Sequence, residues 1–158
     1  MADMTWLTQE TLAHECAIRN EYAKRLADFR PDEKLLKTEW AFANARARAD
    51  MRTIDRSDML RIWEFKIVAD YSGLGQALTY LALTRLEKDF KVPVKGVLAA
   101  FVIPDEIRTA NEVLNLGLEF VEIPSQLRRA GDIPISAGRA PTLPDIPTAL
   151  ISPTTTAN

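Results

Sequence analysis

The chain has 158 residues, with 20 Lys and Arg against 22 Asp and Glu, a formal net charge of −2, and one Cys and one His. A hydrophobic content of 47% is typical of a globular protein and excludes a disordered or collagen-like chain. Cys16 cannot form an internal disulfide, and with His14 it supplies too few ligands for a structural zinc or iron–sulfur site. The length predicts a single domain.

One helix and three strands are predicted in the first half of the chain. Apolar residues at steps of three and four predict an amphipathic helix over residues 7–29, which Pro31 ends. Residues 35–42 are ambiguous in period, although Trp40 and Phe42 favour a strand. Residues 45–54 alternate small or apolar with charged side chains, as in a strand with one buried and one polar face. The turn residues 55–58 predict a β-hairpin between this strand and residues 59–69.

Helices and strands alternate in the second half. Ser72 and Gly73 open a predicted helix, and the apolar run over residues 94–103 predicts a central strand covered on both faces. A helix over residues 105–116, ended by Gly117, and a strand over residues 118–123 follow. The order α-β-β-β-α-β-α-β predicts an α/β domain, residues 1–130, with a mixed central sheet and helices on both faces. Five of the nine prolines follow Gly131, so residues 131–158 are predicted to form an extended or flexible tail.

Two charged residues, Glu64 and Lys66, lie within the apolar part of the predicted strand over residues 60–68. Strand alternation puts Glu64 and Lys66 on one face and Trp63 and Phe65 on the other, and both faces are otherwise largely apolar. In a central strand each unpaired ion costs several kcal/mol, so stability alone does not explain the two charges. The simpler alternative is a Glu–Lys pair on an edge strand.

The preceding strand brings a second acid towards the same place. If the hairpin pairs through residues 55–58, Asp50 lies close to Glu64. Two carboxylates at that distance repel each other unless a divalent cation lies between them, and oxygen ligands suit Mg²⁺ or Mn²⁺. The ammonium of Lys66 would point to the same spot, where it could orient a water molecule or balance charge on a phosphate. The pattern predicts a hydrolytic site for phosphodiesters.

The sequence resembles the PD-(D/E)xK nuclease superfamily. The motif is matched by Asp50, a turn and then Glu64-Phe65-Lys66, with Ala49 in place of the proline in the motif name. The following helix carries Gln76-Ala77-Leu78-Thr79-Tyr80, which resembles the QxxxY motif of RecB-type nuclease domains. Over residues 35–125 the sequence is most similar to the nuclease domains of NucS-like mismatch endonucleases and archaeal Holliday junction resolvases. The resemblance implies a restriction-endonuclease-like core. It also implies a DNA endonuclease of repair or recombination that hydrolyses phosphodiester bonds with water activated by Mg²⁺ or Mn²⁺.

The resemblance implies roles for particular residues. The residues implied to bind the metal or to act in catalysis are Asp50, Glu64, Lys66 and the carbonyl of Phe65. An upstream acid often joins such sites, and here Glu39 is weakly favoured over Glu15 and Glu21. Without that acid, one metal ion is expected rather than two.

Five further side chains are candidates for DNA contacts. Gln76 and Tyr80 are four residues apart and therefore on one helical face, which in this family faces the metal site and DNA; a packed aromatic is the alternative for Tyr80. Three arginines beside the predicted metal site are expected to contact phosphates, the alternative being a solvated sheet face. They are Arg46, Arg48 and Arg52.

The composition also bears on partners and location. DNA is the expected partner, and because the net charge is −2 we expect a narrow basic cleft or recruitment by another protein, as a homodimer or as a subunit of a larger nucleoprotein complex. A cytoplasmic protein without membrane contact is expected, since no signal peptide or transmembrane segment is found. The alternative function is a subunit that keeps the nuclease fold and binds nucleic acid or protein without cleaving. Cell, phage and mobile element all stay open as the origin.

Overall fold

A five-stranded sheet organises the part of the chain that the computed structural model describes, residues 4–128. The predicted tail, residues 131–158, lies outside the described residues. The helices are α1 (Met4–Lys24), α2 (Leu26–Phe29), α3 (Tyr71–Glu87) and α4 (Asp105–Val113), with a 3-10 turn at Ser125–Leu127. The strands are β1 (Glu33–Ala41), β2 (Arg48–Asp55), β3 (Leu60–Val68), β4 (Val94–Val102) and β5 (Glu119–Glu122).

The strands lie in the order β1-β2-β3-β4-β5, so β3 is central. β1, β2 and β3 pair antiparallel, whereas β3, β4 and β5 pair parallel, with α3 and α4 as the connections between the parallel strands. The predicted order of elements, the mixed sheet and the hairpin through residues 55–58 are therefore confirmed. The turn is held by Asp55, whose Oδ1 accepts a hydrogen bond from the backbone N–H of Ser57 at 2.8 Å.

Helices cover both faces of the sheet, as predicted. On one face Ile18 and Tyr22 of α1 pack in a buried cluster with Trp63 and Phe65. The other face forms a second cluster in which residues of α3 and α4 meet the opposite side of β3 and β4; among its members are Ala77, Leu81, Ile107, Ile62 and Leu98. The alternation predicted for β3 thus holds, with its odd positions facing α1 and its even positions facing α3.

Three predicted boundaries are wrong. One is the end of α4, which lies at Val113 rather than at residue 116. The first helix ends at Lys24, and the separate α2 follows. β2 begins at Arg48 rather than at residue 45, because residues 42–47 turn the chain back so that Ala41 pairs with Arg48. The backbone N–H of Phe42 donates to the carbonyl of Ala47 at 3.2 Å and closes this loop, which carries Arg46.

Within residues 4–128, no helix has both the length and the apolar composition needed to cross a bilayer.

Candidate active site

Glu64 and Lys66 lie next to each other on the α3 face of the central strand. The Oε1 atom of Glu64, which is 3% exposed, lies 2.9 Å from the Nζ atom of Lys66. The stem of Lys66 packs against Gly73 in the first turn of α3, so closely that a Cβ atom there would lie 2.9 Å from Lys66 Cγ. That turn is fixed by Asp70, which caps the helix by accepting a hydrogen bond from the Gly73 N–H at 2.6 Å. The start of α3 therefore holds the lysine in place.

Asp50 lies where the pairing between β2 and β3 stops. The last pair of that ladder is Met51 with Trp63, and one residue further the Oδ2 atom of Asp50 accepts a hydrogen bond from the Phe65 N–H at 2.7 Å. The Asp50 and Glu64 carboxyl groups are close enough to share a hydrogen bond. In a strand, the N–H and C=O of one residue point to the same side, so the carbonyl of Phe65 also faces the side on which Asp50 lies.

The carboxyl groups of Asp50 and Glu64 are both short of compensating charge. Burial raises the pKa of Glu64, and the nearby Asp50 charge raises it further, to about 8. Burial also raises the pKa of Asp50, although the Phe65 N–H, Arg19 and Lys66 lower it in part. Two carboxyl groups that resist losing both protons near neutral pH form a site that a divalent cation would relieve.

Helix α1 adds two charges that complete the group. Glu15 and Arg19 are four residues apart and so share a helical face. The Oε2 atom of Glu15 lies 3.5 Å from Lys66 Nζ, and the Nη1 atom of Arg19 lies 3.5 Å from Asp50 Oδ1. Burial raises the pKa of Glu15, partly offset by Lys66. We call Glu15, Arg19, Asp50, Glu64 and Lys66 the site cluster.

The three upstream acids considered from the sequence are placed differently. Glu15 contacts the lysine directly. Glu39, which the sequence analysis weakly favoured, is joined to Asp50 through Arg19, whose Nη1 atom lies 3.5 Å from Glu39 Oε1. Glu21 lies on the exposed surface of α1 and pairs with Lys24 at 2.7 Å. Glu15 and Glu39 thus each lie 3.5 Å from a cation of the site cluster, and Glu21 pairs with a lysine outside it.

Arg19 was missed by the sequence analysis, although the chain contains a signal for it. The apolar stripe of the first helix includes Cys16 and Ala23, and position 19 falls on the same stripe. A charged residue within such a stripe is buried if the helix packs, and Arg19 is 5% exposed. A buried arginine needs acidic partners, which here are Asp50 and Glu39.

Gln76 and Tyr80 lie beside the site cluster. The Nε2 atom of Gln76 donates to Tyr80 Oη at 3.4 Å, while the Oε1 atom of Gln76 is buried without a hydrogen-bond partner. The Tyr80 ring is 6% exposed and stacks on Phe42, with ring centroids 5.9 Å apart. Burial raises the pKa of Tyr80, and the charge of Glu64 adds to the rise, so the phenol group faces the acids. Tyr80 is both a packed aromatic and a polar group at the site.

The three predicted arginines do not behave alike. The prediction that Arg52 contacts DNA is wrong, because the residue is 1% exposed and its guanidinium lies 3.0 and 3.2 Å from the two carboxylate oxygens of Glu87. Its guanidinium also stacks on Trp40, 3.7 Å from the ring centroid. Arg46 and Arg48 are exposed, so both are available to a ligand on the surface.

The donor set fits one hard divalent cation. Among the described residues, no group of three or more His, Cys, Asp or Glu side chains is arranged to hold a metal ion. Mg²⁺, however, is usually bound through one or two carboxylates with water completing its shell. Asp50 and Glu64 supply those carboxylates, and the Oε1 atom of Gln76, on α3, is a buried acceptor without a hydrogen-bond partner. These residues could therefore hold one Mg²⁺ or Mn²⁺ ion.

The fold is similar to that of several solved structures. A complex of EndoMS with double-stranded DNA is 23% identical with a TM-score of 0.59, and the match covers 73% of this chain and 46% of that one. A repair endonuclease from Pyrococcus abyssi is 20% identical with a TM-score of 0.58, over 70% of this chain and 47% of that one. EndoMS in its apo form is 23% identical with a TM-score of 0.56, over 68% of this chain and 45% of that one.

These similarities bear on the fold. They confirm the predicted restriction-endonuclease-like core, and the resemblance to NucS-like endonucleases is confirmed at that level. The chain spans a little under half the length of the structures it matches. No protein-family model and no curated protein sequence matches the chain.

Proposed function

We propose that the chain is a Mg²⁺- or Mn²⁺-dependent endodeoxyribonuclease that hydrolyses phosphodiester bonds. The observation that carries the proposal is the convergence of Asp50, Glu64 and Lys66 where β2 and β3 stop pairing. Buried ionisable groups with strongly shifted pKa values are typical of functional sites, and this group has no evident structural purpose. The similarity of the fold to a repair endonuclease and to EndoMS, which one structure shows with double-stranded DNA, supports the same function.

Each residue of the site has a chemical task. When bound, the metal ion activates water and offsets negative charge on the phosphate. Asp50, Glu64 and the Phe65 carbonyl would hold it. Burial lowers the pKa of Lys66, but Glu64, Glu15 and Asp50 raise it to a greater extent, so the group stays an ammonium. As an ammonium, Lys66 can donate hydrogen bonds to a phosphate oxygen or to the attacking water.

Four other side chains are proposed to hold the DNA. Gln76 and Tyr80 lie on one face of α3, with Tyr80 close to the acids and Gln76 donating to its phenol oxygen, and we propose that both bond to the scissile phosphate or a flanking nucleotide. Arg46, in the loop before β2, and Arg48, at the start of β2, are exposed and would contact the phosphates on either side. Since the net charge of −2 gives weak attraction to DNA, we propose that a homodimer or a larger complex supplies the remaining contacts.

A cleavage assay tests the proposal. The protein is incubated with supercoiled, linear, single-stranded and branched DNA, with Mg²⁺ or Mn²⁺ and with EDTA. We expect cleavage of at least one substrate with metal and none with EDTA, and loss of that cleavage in Asp50→Asn. The matched control is Asp58→Asn, in the exposed turn before β3. Binding of DNA without cleavage by folded, metal-loaded protein would instead establish the non-cleaving subunit as the function.

A further inference from the structure

Two cations separate the acids around the site into pairs. Lys66 lies between Glu64, at 2.9 Å, and Glu15, at 3.5 Å. Arg19 lies between Asp50 and Glu39, with its Nη1 atom 3.5 Å from an oxygen of each. Each cation thus joins one proposed metal ligand to one acid from another element. This arrangement explains why the acids do not gather into a group of three among the described residues.

The guanidinium of Arg19 is held in its position from the other side. Its Nε and Nη2 atoms donate to the Oδ1 atom of Asn20 at 3.1 and 3.0 Å, which leaves Nη1 directed between the two carboxylates. A guanidinium does not lose its proton in proteins, so a permanent positive charge is buried at this point. The charge comes from α1, whereas Asp50 and Glu39 come from β2 and β1.

Glu39 is held in an unfavourable conformation beside Arg19. Its φ angle is 53°, in the left-handed region that a glutamate rarely adopts, although it lies within β1. Its carboxylate also lies 4.0 Å from the exposed Arg48. Backbone strain of this kind persists only where the surrounding structure imposes it. The contact between Glu39 and the buried Arg19 is therefore more than a surface ion pair.

We propose that Arg19 occupies the place of a second metal ion and so limits the site to one divalent cation per chain. This inference rests on the proposed function. In two-metal sites the ions lie about 3.5–4 Å apart and share carboxylate ligands. Asp50 and Glu39 flank Arg19 as two such ligands would flank an ion. Each carboxylate oxygen lies 3.5 Å from Arg19 Nη1. It would need to move roughly 1.4 Å closer to that position to reach a Mg²⁺ ligand distance. The charge of Arg19 excludes a second cation from that space.

Counting bound Mn²⁺ tests the proposal without measuring activity. Titration calorimetry gives the number of ions per chain, and electron paramagnetic resonance separates a single Mn²⁺ from a coupled pair. We expect one uncoupled ion in the wild type and two coupled ions in Arg19→Gln. The matched control is Arg48→Gln, which removes the other arginine near Glu39 and should bind one ion. The double variant Arg19→Gln with Glu39→Gln should return to one ion.

The outcomes separate this inference from the proposed function. Two ions in the wild type, or one ion in folded Arg19→Gln, would overturn the role of Arg19 and leave a metal-dependent nuclease intact. No Mn²⁺ binding by the wild type would instead overturn the metal site itself. Because Arg19 is 5% exposed, Arg19→Met, which keeps the aliphatic volume, is the second neutral variant should Arg19→Gln fail to fold. The wild-type count needs no variant.

Discussion

Two groups of charged side chains around this sheet contain the same numbers of acids and bases. In only one of the two groups do the bases compensate the acids. Each contains three acids and two bases. The site cluster has been described; the second group, which we call the distal cluster, consists of Arg30, Glu33, Asp55, Arg61 and Glu119. Arg61 lies 2.7 Å from Asp55 and 2.8 Å from Glu119, which Arg30 also contacts at 2.6 Å. In the distal cluster every acid therefore has an arginine within hydrogen-bonding or ion-pairing distance.

The pKa values show what these contacts do. Burial raises the pKa of Glu119, but hydrogen bonds from Arg61 and Arg30 outweigh it and give a net fall. The Ser57 hydroxyl and Arg61 hold the pKa of Asp55 well below its usual range. All three acids of the site cluster, by contrast, have raised pKa values because burial outweighs their partners. Forked guanidinium groups satisfy the distal acids, whereas the site acids share one ammonium and one more distant guanidinium.

Charge composition alone therefore does not distinguish a structural from a functional cluster. The distal cluster is compensated and should contribute to stability. The site cluster is left uncompensated, which costs stability and makes the site ready for a cation. Variants matched between the two clusters test this distinction.

The largest expected difference is between Glu64→Gln and Glu119→Gln. Glu64→Gln should reduce cleavage by about 10³-fold, because it removes a metal ligand. It should also raise the free energy of unfolding by about 1 kcal/mol, since a buried acid beside Asp50 is neutralised. Glu119→Gln should lower the free energy of unfolding by about 1–3 kcal/mol through the loss of its arginine bonds. Urea unfolding and cleavage per folded molecule measure the two effects.

The distinction between the two clusters would be lost if both variants responded in the same way. If Glu64→Gln and Glu119→Gln both lowered stability and both left cleavage per folded molecule unchanged, the site cluster would be structural. A gain in stability with a loss of cleavage in Glu64→Gln alone would establish that the site is maintained at the expense of the fold.

A second pair of variants, Lys66→Met and Arg61→Met, removes one base from each cluster, and cleavage and stability are compared between them. Lys66→Met should reduce cleavage by about 10²-fold and leave Mn²⁺ binding nearly unchanged, because the ammonium acts on the phosphate or on water. Arg61→Met should lower stability without changing cleavage per folded molecule, since it leaves Asp55 and Glu119 with one partner fewer. Circular dichroism must first show that both variants are folded. Wild-type cleavage by folded Lys66→Met would exclude a catalytic role for the lysine.

The two clusters should also respond to pH in opposite directions when EDTA is present. The pKa of Glu64 is raised from 4.5 to about 8 in the folded protein, so the native state binds more protons over that interval. Its contribution to stability is therefore fully present below pH 4.5 and is lost as the pH rises towards 8. The lowered pKa values of Asp55 and Glu119 contribute stability that is present above their usual values and is lost as the pH falls.

Urea unfolding from about pH 2 to pH 9 follows both the acid-side loss of stability and the loss towards pH 8. We expect Glu64→Gln, or addition of Mg²⁺ to the wild type, to flatten the fall in stability between pH 4.5 and about 8. Glu119→Gln should instead reduce the fall on the acid side. A wild-type curve that is flat between pH 5 and pH 8 in EDTA would show that Glu64 is already compensated.

The sequence predicted the parts of the site that depend on local pattern. Strand alternation placed Glu64 and Lys66 on one face, and the turn at residues 55–58 brought Asp50 opposite them. Alternation also placed Arg52 on a polar face, but it could not indicate that Trp40 and Glu87 cover that position. What covers a strand depends on packing between distant segments.

The contribution of α1 was harder to predict for the same reason. The spacing of its apolar residues predicts a helix, and the position of Arg19 among them predicts a buried charge. The same spacing does not identify the strands against which the helix packs. The choice among Glu15, Glu21 and Glu39 needs that packing, because it depends on which side of α1 faces β3. The structure brings Glu15 to Lys66.

The smallest expected effects compare two hydroxyl groups, Tyr80 in the site and Thr53 in the distal region. Thr53 is fully buried; its Oγ1 atom donates to Glu33 at 2.7 Å and accepts from the indole N–H of Trp63 at 2.9 Å. Thr53→Val should therefore lower the free energy of unfolding by about 1–2 kcal/mol and leave cleavage per folded molecule unchanged. Tyr80→Phe keeps the ring that stacks on Phe42 and removes only the phenol oxygen, so the melting temperature should change little.

Cleavage by Tyr80→Phe should fall by about 2- to 13-fold, the loss expected when one hydrogen bond to substrate of about 0.5–1.5 kcal/mol is removed. Mn²⁺ affinity should not change, because a phenol is a poor ligand for this ion beside carboxylates. Gln76→Ala should act in the same direction, since it removes the partner of the phenol and the free Oε1 atom together. A fall in melting temperature as large as that of Thr53→Val, with cleavage per folded molecule unchanged, would assign Tyr80 to the core. The site would then consist of its charged residues alone.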